Sequence, residues 1–202
     1  MKYLFQILTI NLLLLSGCKS DTDYIVDKDN SKIYSSFEKI ESSHSNIDFI
    51  NKITPSFDNK ANLFDYDYFY NGSGVGVADF NNDGLKDIIL SANQTENKIY
   101  INRGDLIFED ITLDANINQN KKWSSGVAIA DVNNDGWMDI YISQGGPNSA
   151  NDRKNLLYIN QKDLTFKEQA QEYGLDDKGI STQSAFFDFD KDGDLDCLVM
   201  NE

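Results

Sequence analysis

At 202 residues the chain is long enough for one domain, or for two small ones. Its 33 acidic residues against 18 basic ones give a formal charge of −15, which excludes a broad basic face for nucleic acid. Cys18 and Cys197, the two cysteines, are too few for a disulfide framework.

The first element in chain order is a targeting signal over residues 1–18. Lys2 supplies a short positive region. Tyr3 to Leu15 is apolar but interrupted by Gln6, Thr9 and Asn11, so it is too short and too broken for a comfortable membrane span. The signal ends in Leu15-Ser16-Gly17-Cys18, which resembles the bacterial lipobox. That resemblance implies that Cys18 becomes the lipidated first residue of the mature protein, anchored by acyl chains worth about 0.8 kcal/mol per buried CH₂. The polar run Lys19-Ser20-Asp21-Thr22-Asp23 is similar to the export tags of surface lipoproteins in the Bacteroidetes. A lipidated Cys18 leaves no intrachain disulfide. Cys197, in the apolar run Leu195 to Met200, reads as a buried free thiol. An exported domain without disulfides needs another source of stability, and metal is the candidate.

Residues 19–36 are polar and aperiodic and read as a flexible tether. Residues 37–71 read as a lead-in strand region, because Tyr66, Tyr68, Phe69 and Tyr70 suit a half-buried strand. His44, the only histidine, lies here among serines, which leaves no histidine for a catalytic triad shared among repeats.

From Gly72 a repeat takes over. Its signature is a nine-residue acidic loop present three times: Asp79 to Asp87 (DFNNDGLKD), Asp131 to Asp139 (DVNNDGWMD) and Asp188 to Asp196 (DFDKDGDLD). Oxygen ligands at alternate positions with glycine at the sixth are what a short loop needs to wrap Ca²⁺. The loops hold 11 aspartates, so bound cations would neutralise much of the local repulsion. A strand with small residues precedes each loop: Gly76 to Ala78, Ala128 to Ala130, Ala185 to Phe187. A β-branched or apolar strand follows: Ile88 to Leu90, Ile140 to Ile142, Leu198 to Met200. Lys98 to Asn102 matches Leu156 to Asn160 as a third strand, and Asp105 to Phe108 matches Asp163 to Phe166 as a fourth. Four short strands in roughly fifty residues are the size of one propeller blade.

The loops start 52 and then 57 residues apart. The second repeat is longer because of the connection from Gln144 to Asn155, whose Gly145, Gly146, Pro147 and Asn148 suit a flexible loop. The third repeat reaches Glu202 just past its second strand, so the expectation is about two and a half blades of an incomplete ring, either the N-terminal part of a longer protein or a truncated reading frame.

Over Gly72 to Glu202 the loops, their flanking strands and the Tyr-Ile-Asn strand together resemble the FG-GAP/VCBS repeats, the blades of integrin α-like propellers. The segment Tyr66 to Gly76 is also similar to large exported Bacteroidetes proteins that carry such repeats. The resemblance implies an all-β fold of four-stranded antiparallel blades and Ca²⁺ held by loop positions 1, 3, 5 and 9 with the main-chain carbonyl of position 7. Carried over, the first site is Asp79, Asn81, Asp83, Leu85 and Asp87. The second is Asp131, Asn133, Asp135, Trp137 and Asp139. The third is Asp188, Asp190, Asp192, Asp194 and Asp196, which carries the most charge and is expected to bind most tightly.

An EF-hand begins with a similar loop but needs an acidic ligand at position 12 and a helix after it. Position 12 here is Leu90, Ile142 and Val199. Arg103-Gly104-Asp105 spells an adhesion tripeptide but lies where a hairpin turn is expected. Trp123 and Trp137 suit packing better than sugar stacking. No catalytic residues emerge. The expectation is a calcium-stabilised binding or adhesion module at the cell surface, lipid-anchored to the outer membrane, with a polysaccharide or protein ligand. The alternative is the N-terminal part of an exported hydrolase or lyase whose catalytic residues lie beyond this chain.

Overall fold

The computed structural model describes residues 24–26, 33–35, 37–117 and 122–202. The targeting signal and Cys18 lie outside the described residues. Within the expected tether, β1 (Tyr24–Val26) and β2 (Ile33–Ser35) pair antiparallel as a small ribbon. The rest of the fold lies in the unit of residues 41–202.

The larger unit is nearly all β. After one turn of helix, α1 (Ser42–Ser45), the first sheet is β3 (Val75–Ala78), β4 (Asp87–Leu90), β5 (Lys98–Asn102) and β6 (Phe108–Asp110). The second is β7 (Ser124–Ala130), β8 (Asp139–Gln144), β9 (Leu156–Asn160) and β10 (Phe166–Glu168). The third is β11 (Ser181–Phe187) with β12 (Asp196–Asn201). Each sheet is an antiparallel meander in chain order. These are blades of propeller type, two of four strands and one of two, and the acidic loops are the β3–β4, β7–β8 and β11–β12 turns.

Strand alternation decides how the sheets stack. On β7, Val127 and Ile129 face the first sheet, together with Ile140, Ile142, Leu156 and Tyr158 from β8 and β9. The opposite side chains, Ala128, Tyr141, Leu157 and Ile159, face the third sheet and meet Phe186, Cys197 and Val199. All six residues of β8 are therefore buried. Small residues on the receiving strand make this approach possible. A Cβ on Gly76 would lie 2.6 Å from Ile129 Cδ1. Serine hydroxyls also tie neighbouring sheets together: Ser91 Oγ, just past β4, donates to the Ser125 carbonyl of β7 at 2.7 Å, and Ser125 Oγ to the Ser181 carbonyl of β11 at 2.6 Å.

Four expectations change. The aromatic cluster from Tyr66 to Tyr70 is a chain of turns rather than a strand, and the only bridge in the described lead-in is Ser56 with Ala61. Phe69 is instead buried against Trp123, with Tyr66 edge-on to the same indole. The fourth strands begin at Phe108 and Phe166, because the residues before them form the turns: Asp105 and Leu106, then Lys162 and Leu164, all have positive φ. Finally, the connection after β8 starts packed rather than loose. Gly145 and Gly146 are buried, and Gly146 lies against the Trp123 ring. Cys197 is half-buried, not fully buried.

Gly126 shows how tight the stacking is, since an added Cβ would meet the Thr182 carbonyl oxygen at 2.6 Å and Gln183 Cα at 2.9 Å. Backbone atoms cannot rotate away, so Gly126→Ala should cost about 1–3 kcal/mol in urea unfolding. Val77→Ala, on the exposed face of β3, should stay within about 0.5 kcal/mol.

Candidate metal-binding loops

Each loop winds around its first aspartate. In the first, Asp79 Oδ1 accepts the Asp83 N–H at 3.1 Å and Oδ2 accepts the Gly84 N–H at 2.8 Å. Asn81 Oδ1 accepts the same Asp83 N–H at 3.1 Å. Asp83 Oδ1 takes the Leu85 N–H at 2.8 Å. The second loop repeats each contact: Asp131 with the N–H groups of Asp135 (2.9 Å) and Gly136 (2.7 Å), Asn133 with Asp135 (3.1 Å), and Asp135 with Trp137 (3.0 Å). Such bonds turn the chain tightly. They use left-handed backbone at the fourth and sixth positions, Asn82 with Gly84, Asn134 with Gly136 and Lys191 with Gly193.

The ninth residue behaves differently. Asp87 and Asp139 are buried, at 0% and 1% exposed, whereas the other acidic residues of their loops are partly or fully exposed. Asp87 accepts the Phe80 N–H at 2.8 Å and the Asn102 N–H at 2.9 Å. Asp139 accepts the Val132 N–H at 3.0 Å and the Asn160 N–H at 2.8 Å. One carboxylate thus joins the start of the loop to the end of the third strand. In the third sheet Asp196 accepts the Phe189 N–H at 2.8 Å.

Burial pushes Asp87 upward from its ordinary value and Asp139 up to about 6, with the neighbouring loop carboxylates adding to the rise and the N–H donors opposing it. Asp83 is held low, first by the Leu85 N–H and then by the Asn81 amide. In the third loop Asp194 is raised by its hydrogen bond to Asp192 and by the charge of that neighbour, while Asp192 is held low, first by the Asp194 N–H. Carboxylates crowded this closely gain from a cation among them.

All the donors are hard oxygens, which fits Ca²⁺ and excludes a soft-metal site. In the third loop, carboxylate oxygens of Asp188, Asp190 and Asp196 lie within 4.8 Å of one another. In the first two loops the neutral Asn81 and Asn133 stand at the third position, and the first- and third-position oxygens converge on one N–H. Leu85, Trp137 and Asp194, the seventh residues, are placed by N–H bonds to the fifth-position carboxylate, at 3.1 Å for Asp194 to Asp192. Trp123 lies in a different cluster, with Phe69 and Ala61.

Two pairs of asparagines had no role assigned from sequence. Asn102 and Asn160 end the third strands and donate from Nδ2 to the loop carbonyls of Lys86 (3.1 Å) and Met138 (3.2 Å). Asn97 and Asn155 precede the same strands and accept the N–H groups of Ala92 (2.9 Å) and Gln144 (2.7 Å). The signal was present as Asn-x-x-Tyr-Ile-Asn in both repeats.

Stacked meander sheets with an aspartate-rich loop between the first two strands define a repeat-built propeller protein. The FG-GAP-like repeat family matches at residues 79–142 and 148–199, and the chain belongs to that family. It is also 30% identical over 131 residues to cartilage acidic protein 1 of Xenopus tropicalis, covering 64% of this chain and 20% of that protein. Against cartilage acidic protein 1 of Homo sapiens the identity is 35% over 77 residues, 38% of this chain and 12% of the relative. The chain thus spans a fifth or less of the length of these relatives.

The raised Asp139 value makes a signed prediction for protein kept in EDTA. A carboxylate whose folded value lies above its unfolded one stabilises the native state below the unfolded value. That contribution is lost as pH rises through about 6. Chemical denaturation across this window should show stability falling with pH, and the fall should be smaller in Asp139→Asn. An unchanged slope in the variant would contradict the assignment.

Proposed function

We propose that the chain is a calcium-stabilised binding or adhesion module that acts outside the cell, with a polysaccharide or a partner protein as ligand. The observation that carries this reading is the recurrence of one oxygen-lined loop at the same place in successive sheets, with the same internal hydrogen bonds in the first two copies. An active site usually occurs once, whereas these carboxylates recur with every repeat, which favours a structural role for them. Bound Ca²⁺ supplies positive charge to the clustered aspartates. The chain's own residues do the rest: the first aspartate shapes the turn, and the ninth ties it to the third strand. Extracellular calcium modules bind at about 10⁻⁴–10⁻³ M, and sites of that strength fill outside the cell. At a hundredfold excess over Kd each ion adds about 2.7 kcal/mol.

Export by the residue 1–18 signal and lipid anchoring at Cys18 to the outer membrane belong to the same proposal and rest on the lipobox resemblance. Among the described residues no helix is long and apolar enough to cross a membrane. Metabolic labelling with a fatty acid, lost in Cys18→Ala, checks the anchor.

The calcium reading is checked by thermal melts in millimolar Ca²⁺ and in EDTA. Calcium should raise the melting temperature, and the Asp83→Ala/Asp135→Ala double variant should lose most of the rise. Coincident melts of the parent protein in the two buffers would reduce the loops to acidic turns.

A further inference from the structure

The two four-stranded repeats differ at one position beside the loop. In each, the asparagine ending the third strand accepts, through Oδ1, the N–H of the residue two further on: Gly104 at 2.9 Å in the first repeat and Lys162 at 2.8 Å in the second. Both residues have left-handed backbone, with φ of 95° and 70°. Glycine adopts that conformation freely and lysine does so at a cost. The lysine side chain turns back onto the loop, placing Nζ 3.3 Å from Asp135 Oδ2. The same oxygen accepts the Asn133 amide at 3.1 Å.

The first repeat has no such arrangement. Gly104 carries no side chain, and the adjacent Arg103 pairs with Glu109 at 2.7 Å. Asn82 of the first loop donates to the Gly136 carbonyl of the second at 3.2 Å, so the two loops are neighbours with unequal charge environments.

We infer that Lys162 is an internal counter-cation that lowers the cation affinity of the second loop relative to the first. The inference rests on the reading of the loops as calcium sites. In metal-free protein the ammonium neutralises Asp135 and links the β9–β10 turn to the loop. A bound cation competes for the same carboxylate and is repelled by the ammonium at short range. The pair is partly exposed, at 49% for Lys162 and 23% for Asp135, so solvent moderates the effect without removing it. The loops then form a graded set, in which the second fills only at higher calcium than the first.

Trp137 allows the second loop to be read alone. It is the loop's seventh residue, and its counterparts are Leu85 and Asp194. Terbium(III), a stand-in for Ca²⁺, emits when excited through a nearby indole, so emission sensitised by Trp137 and lost in Trp137→Phe reports this site. Lys162→Gly, which copies the first repeat, should lower the terbium concentration at half-saturation about two- to tenfold. Calcium should displace terbium at correspondingly lower concentration. Lys162→Arg keeps the charge and should titrate like the parent. An unchanged midpoint in Lys162→Gly overturns the inference while leaving the calcium reading intact. An arginine variant that shifts as far as the glycine one overturns it too, because charge would then not be the cause. Absence of Trp137-sensitised emission from parent and variants alike would remove the second loop as a metal site, and the inference with it.

Discussion

The fold depends on a buried aspartate that belongs to two structures at once. Asp87 and Asp139 end the acidic loops, and each accepts one N–H from the loop's second residue and one from the asparagine that closes the third strand. A carboxylate removed from water must find strong donors or lose its charge. Here two backbone donors are supplied, yet burial still pushes both groups upward. The loop is therefore held in place by a group that is itself incompletely compensated. A cation would complete that compensation, which is the physical reason for reading the loops as calcium sites rather than as solvated turns.

Sheet stacking presents the loops side by side. Alternation along each strand gives one face to the preceding sheet and the other to the following one, and small residues such as Gly76 and Ala128 set the spacing between them. Close backbone approach at Gly126 of β7 against Thr182 and Gln183 of β11 leaves little freedom for one sheet to slide on the next. The Asn82 bond to the Gly136 carbonyl follows from that stacking. Differences between loops then arise from single residues added to a shared frame. Asp194 adds charge to the third, and Lys162 adds a counter-charge to the second.

Loop positions and strand order were legible in the sequence because both rest on short, regular spacings. Ligand residues fall at alternate positions, and apolar residues alternate along strands that are buried on one side or both. The lead-in was misread for a related reason. Aromatics at Tyr66, Tyr68 and Tyr70 match strand alternation, but here Tyr66 and Phe69 pack on Trp123 from successive turns and Tyr68 packs on Tyr66. The fourth strands were placed early because their turns use Asp105, Leu106, Lys162 and Leu164 in left-handed backbone, where residues other than glycine seldom mark a turn. Asn102, Asn160, Asn97 and Asn155 had no periodicity to reveal them, since a side chain bonding a distant backbone group leaves only a recurring residue as its trace. Lys162 was hidden for the opposite reason, because it does not recur.

The most direct test of this account is amide hydrogen exchange at Asn102, Asn160, Phe80 and Val132, measured by NMR in EDTA and again with calcium. The account predicts that these four amides exchange slowly in EDTA and more slowly with calcium, and that Asp139→Ala releases Val132 and Asn160 while leaving Phe80 and Asn102 protected. Exchange at Asn160 as fast as at exposed loop amides in both buffers would contradict the claim that the buried aspartate holds the loop to the third strand.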